Sequence, residues 1–235
     1  MVRSYCIYIN ICMLLNEITQ PSDMQSLKQQ LKSFSDWLVQ GNHTPKEITT
    51  ELENSIGDIT RVEMELSPNV DKGDMNASAA YDQDDDEDGE IPFEITLVFS
   101  DKEDRMTIQD PNPLINRILD MMKHEMIHQK QARARDFEDH TQGKDNRNMN
   151  YEYMSRPDEI EAYAMNIADE LVRQVGKDGA ITLLRMAKKT AEFRNEMGNF
   201  LSPDLFAYMG MWNFDSKHPV IKRLLKKIYQ YITAQ

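Results

Sequence analysis

The stretch Met121-Met122-Lys123-His124-Glu125-Met126-Ile127-His128 decides the reading of this chain, because it sets His-Glu-x-x-His inside a helical pattern. Ile115, Ile118, Leu119, Met122 and Met126 recur at three- and four-residue spacing, which predicts one helix over residues 112–133. Two residues four apart lie on one helix face about a turn from each other, so the imidazoles of His124 and His128 can reach a single ion. Their face is separate from the apolar stripe, so core packing does not account for them. Glu125 stands between the pair and is rotated off it, within reach of a metal-bound water, as a general base must be.

A catalytic zinc takes three protein ligands and keeps a fourth position open. No histidine stands six residues beyond His128, so metzincin spacing is absent. His140, in a connecting loop, is one candidate for the third ligand. Glu159 and Glu161 are the others, in Ser155-Arg156-Pro157-Asp158-Glu159-Ile160-Glu161-Ala162-Tyr163-Ala164, which opens a second helix with proline in its first turn. Two positions apart on a helix, these acids point to nearly opposite sides, and only one of them can face a metal.

The two segments together, His124 to His128 and Arg156 to Ala164, resemble the paired zinc-binding helices of gluzincin-type peptidases, in particular small phage-encoded metallopeptidases. The resemblance covers roughly residues 110–175. It implies Zn2+ as cofactor, His124, His128 and Glu159 as metal ligands, Glu125 as catalytic base, and hydrolysis of peptide bonds in a protein or peptide substrate. It also implies that Ala162 lets the second helix pack closely. Gluzincins often carry an orienting acid three or four residues past the ligand glutamate; here those positions are Ala162 and Tyr163, so Asp120 or Asp169 is expected to take that role. An oxyanion needs a further donor. Tyr153, from the pair with Tyr151, is the expected one, and Tyr163, Arg156 and His140 are also close in sequence. Two readings compete. A SprT-like, DNA-associated protease shares the His-Glu-Met-Ile-His wording and would use His140, though its glycine-rich segment is missing. A non-catalytic metal-binding scaffold would have no need of Glu125.

Upstream of the motif, Phe93, Ile95, Leu97 and Phe99 alternate with polar positions and predict a strand over residues 92–99, expected at the edge of the sheet, where a substrate could add by main-chain hydrogen bonds. A strand is expected over residues 59–66 and a short returning one over residues 105–108. Helices are expected from Pro21 to near Gly41 and from Thr44-Pro45-Lys46-Glu47 to about Ser55. Residues 67–90 lose all periodicity and end in Asp82-Gln83-Asp84-Asp85-Asp86-Glu87-Asp88-Gly89-Glu90. This segment reads as a solvated acidic loop. It copies the first half of an EF-hand loop, but Ile95 stands where the bidentate carboxylate belongs. Downstream, helices are expected over residues 157–174, 177–197 and 218–233. In the last of these, Ile221, Leu224, Leu225, Ile228 and Ile232 form a stripe that docks on the domain, opposite a lysine-rich face.

The fold class expected is therefore α+β: a small antiparallel, zincin-like sheet packed on the His-Glu-x-x-His helix, followed by a mainly helical C-terminal half. Residues 21–235 are expected to form a single domain. Residues 1–20 read as an extension whose apolar run, Tyr5 to Leu15, suits a buried strand, resembles a signal h-region without a cleavage site, or precedes a true start at Met13. Forty acidic against 27 basic residues give a net charge of -13, which disfavours nucleic acid and anionic membranes. Cys6 and Cys12, the only cysteines, exclude a disulfide framework and fit a cytoplasmic protein, the host cytoplasm if phage-encoded.

Overall fold

The computed structural model describes residues 21–187 and 202–234. The readings of residues 1–20 and of the helix end over 188–197 lie outside the described residues. The chain divides into two compact units, Met1–Phe137 and Glu138–Gln235.

The first unit is α+β. Its elements are α1 (Pro21–Leu38), α2 (Pro45–Ile56), β1 (Arg61–Ser67), β2 (Met75–Tyr81), α3 (Gln83–Asp88), β3 (Phe93–Ser100) and α4 (Asn112–Ala134). Local chemistry starts α2: Thr44 accepts from the Glu47 amide while the Glu47 carboxylate accepts from the Thr44 amide, and Pro45 occupies the first turn.

The sheet order is β1-β3-β2, with β1 parallel and β2 antiparallel to β3. The expected antiparallel sheet is thus mixed, and the strand expected at its edge lies in its centre. Composition explains both. Phe93, Ile95, Leu97 and Phe99 are all buried, and so apolar a strand is best paired on both sides, leaving the glutamate-rich β1 and the alanine-rich β2 as edges. Residues 105–108 form no strand with it. Met106 makes a single bridge to His43 instead, with amide–carbonyl bonds of 2.8 and 2.9 Å. The core joins Leu27, Leu31 and Phe34 of α1, Ile48 and Leu52 of α2, the inward side chains of β3, and Ile118 and Met122 of α4.

Residues 67–90 are not the expected free loop. β2 pairs with β3 along its length, from Met75 against Phe99 to Tyr81 against Phe93. The acidic run then forms α3, capped at its start by the Asp82 carboxylate on the amides of Asp84 and Asp85, and ended by Gly89 at φ 79°. The glycine that suggested a calcium loop is a helix stop. Asp86, which the EF-hand pattern would turn toward an ion, is buried and accepts from Arg133 Nη2 at 2.6 Å and Nε at 2.9 Å, Gln129 Nε2 at 2.9 Å and the Tyr81 hydroxyl at 3.0 Å.

The second unit is helical: α5 (Met149–Met154), α6 (Pro157–Met186), α7 (Pro203–Met211) and α8 (Pro219–Ala234). α6 is broken at Gly176, where φ is 71° and ψ 169°, matching the expected boundary between helices over residues 157–174 and 177–197. Ala164, Ile167, Ala168 and Leu171 of α6 meet Ile221, Leu224, Ile228 and Ile232 of α8 and Leu205, Tyr208 and Met209 of α7 in one core. The stripe of the last helix is therefore buried as expected, with Leu225 at its margin. Among the described residues, no helix is long and apolar enough to cross a membrane.

Candidate metal centre

In the first unit, the structure brings His124 and His128 together. Their Nε2 atoms are 3.1 Å apart and their rings meet edge to face at 4.8 Å. His124 is buried at 8% exposure, although its neighbours Met121, Met122 and Ile127 already fill the helix's apolar face. Glu125 is half-buried, one residue along α4.

The other nitrogen of His128 explains its orientation. Nδ1 lies 2.9 Å from Oε1 of Gln131, a carbonyl oxygen that can only accept. A proton on Nδ1 suits this contact and leaves Nε2 to face His124. At this separation the two Nε2 atoms are within hydrogen-bond distance, bridged by one proton. In tetrahedral zinc sites, with Zn–N near 2.1 Å, the same atoms stand about 3.4 Å apart, so an ion could replace that proton with only a few tenths of an ångström of movement. Paired imidazole nitrogens fit zinc and the other borderline divalent ions alike.

Gln131 was not among the residues expected to orient a ligand; its signal in the sequence is a polar side chain one turn past the second histidine. The same end of α4 is held from outside. Gln129 and Arg133 are the residues that grip Asp86, so α3 anchors the helix just beyond its histidines. Burial alone would raise the Asp86 carboxyl; the bonds from Arg133, Gln129 and Tyr81 outweigh it and hold the group below its ordinary value.

In the second unit, Glu159 is buried at 5% exposure in the first turn of α6, where the helix dipole favours a carboxylate. Its charge, after burial itself, raises the phenol of Tyr208. Tyr208 lies on α7, a helix absent from the sequence expectation, and donates its hydroxyl to the Met154 carbonyl. Glu161 points elsewhere. It pairs with Lys227 at 2.5 Å and accepts from Tyr231, both on α8. His140 is exposed in the connection before α5.

Of the expected oxyanion donors, Tyr153 is 40% exposed, with the Arg156 guanidinium 5.4 Å from its ring centre. Tyr151 serves packing: it donates to the Met211 carbonyl at 3.0 Å and meets Trp212 edge to face. Arg156 pairs with Glu152 at 2.8 Å. The connection before α5 is tied down by Asp145, which accepts from Arg147 at 2.7 Å and from Trp212 Nε1 at 2.9 Å. No family model matches the sequence, and no curated protein or solved structure matches it.

Proposed function

We propose that the chain is a zinc-dependent peptidase of gluzincin type, with His124, His128 and Glu159 as metal ligands and Glu125 as general base. The observation that carries this reading is the His124–His128 pair, with Nε2 atoms at 3.1 Å and the Nδ1 of His128 held by Gln131 at 2.9 Å. Glu159, a buried carboxylate in the first turn of α6, is the residue that would complete two imidazoles to a three-ligand set. The remaining candidates for the third ligand are less suited, Glu161 being engaged by Lys227 and Tyr231.

Bound zinc would supply an acidified water and polarise the scissile carbonyl. Glu125 accepts the water's proton on its carboxylate and returns it to the leaving amine. Tyr153, half open to solvent, offers a hydroxyl to the developing oxyanion. An extended substrate adds to the edge of β2 that faces away from β3, because β2 is the strand packed against α4. The zincin-like architecture belongs to this reading: an active-site helix lying against a small sheet. Among the alternatives, a SprT-like protease would replace Glu159 with His140, and a scaffold would bind metal without hydrolysis.

Elemental analysis after identical dialysis tests the assignment. About one zinc per chain in the wild type, retained in His140→Ala and lost in Glu159→Gln, is the expected result. Glu125→Gln should keep its zinc and lose hydrolysis of a denatured protein substrate. An unchanged zinc content in Glu159→Gln would remove the gluzincin assignment, and a zinc-free wild type would remove the metal centre altogether.

A further inference from the structure

The second unit contains a hollow of about 600 Å³ between the end of α6, the turn before α8 and the outer face of α8. Its floor is apolar: Leu184, Leu225 and the ring of Tyr229, which is 45% exposed. Its rim is cationic: Arg185, Lys217, Lys222 and Lys226. In the same unit Arg147 meets Asp145, Arg156 meets Glu152 and Lys227 meets Glu161. The four rim side chains have no such partner among the described residues, in a chain carrying 40 acidic and 27 basic residues. Four cations gathered around one apolar hollow form a positive patch on a chain whose net charge is -13.

We propose that this hollow binds an acidic peptide segment of a partner protein, with carboxylates on the rim and an apolar side chain on the Leu184–Leu225–Tyr229 floor. Lys222 and Lys226 are one turn apart on α8, about 6 Å, so two carboxylates on the same face of a partner helix, or two residues apart in an extended chain, can meet them together. Leu225 stands between them and gives the partner's apolar side chain its contact. A nucleic acid fits less well, since a phosphate backbone gains nothing from an apolar floor and the net charge of -13 repels a long polyanion. The role is recruitment, separate from the proposed hydrolysis, and it does not depend on the metal centre.

Fluorescence anisotropy on the full chain tests it, with a short labelled peptide in which Asp and Glu pairs flank Leu and Phe as the probe. The expected result is saturable binding with a dissociation constant in the micromolar range, weakening as salt rises. Lys222→Glu combined with Lys226→Glu should weaken it about tenfold or more, and Tyr229→Ala should weaken it in high salt as well as low. These side chains are exposed, so unchanged helical circular dichroism in the variants is expected. Absence of binding, equal binding by the charge-reversed variant, or tighter binding of oligo-dT than of the peptide would overturn the proposal.

Discussion

His128 and Gln131 form a hydrogen-bonded pair across one turn of α4, Nδ1 to Oε1 at 2.9 Å, and this contact holds the ring with Nε2 toward His124. Without the acceptor, the ring would be free to place its proton on Nε2 and to rotate. Gln131→Leu is therefore expected to weaken zinc binding about 10- to 100-fold while the fold persists, as measured by competition with a chelator of known affinity. Gln131→Glu keeps an acceptor at the same place and should bind at least as tightly as the wild type. Equal affinity in the leucine variant would show that His128 is oriented by something else.

Asp86 ties acid stability to the same helix. Its folded-state pKa lies below the ordinary 3.8, so the unfolded chain takes up its proton first as pH falls. The stabilisation is complete above the unfolded value and is lost as pH drops through the folded one. Urea unfolding of the wild type should show stability falling steeply below about pH 4. Asp86→Asn should start lower by about 1–3 kcal/mol at neutral pH, because charge-assisted bonds are lost while the exposed Arg133 returns to water. Its pH slope in this range should also be shallower. Parallel slopes in the two proteins would mean that other carboxylates govern the acid limb.

Glu161 offers a control on the metal centre. It is engaged by Lys227 and Tyr231, so Glu161→Gln should lower the melting temperature by a few degrees through the α6–α8 contact and leave zinc content unchanged. Loss of zinc from this variant together with its retention in Glu159→Gln would exchange the roles of the two acids.

What could be read locally was legible. The strict alternation of Phe93, Ile95, Leu97 and Phe99 announces β3, and the Thr44–Glu47 box announces α2, because in both cases neighbouring residues carry the whole signal. β2 was hidden because Met75-Asn76-Ala77-Ser78-Ala79-Ala80-Tyr81 is poor in β-branched residues, and its pairing with β3 overrides propensity. α3 carried a proper start in Asp82 and a proper stop in Gly89, but its charge density masked both. α7 had a legible start in Ser202, which caps Leu205, followed by Pro203. At the candidate site, the helical spacing exposed His124, His128 and the Glu125 between them. Gln131 was within reach of the same argument, whereas the commitment of Glu161 to α8 and the influence of the Glu159 charge on Tyr208 depend on residues distant in sequence.

Gly176 shows what such a break costs to keep. At φ 71° and ψ 169° it occupies a region essentially closed to residues with a side chain, and it separates the segment bearing Glu159 from the later part of α6. A Cβ built there meets nothing within 4 Å, so crowding cannot confuse the outcome of a substitution. Gly176→Ala should therefore be destabilising by about 1–3 kcal/mol through backbone strain alone, seen as a lower denaturation midpoint with an unchanged m-value. If the variant were instead as stable as the wild type, α6 must be able to run straight through position 176, and the bend would not be required by the packing of α8 on either side of it.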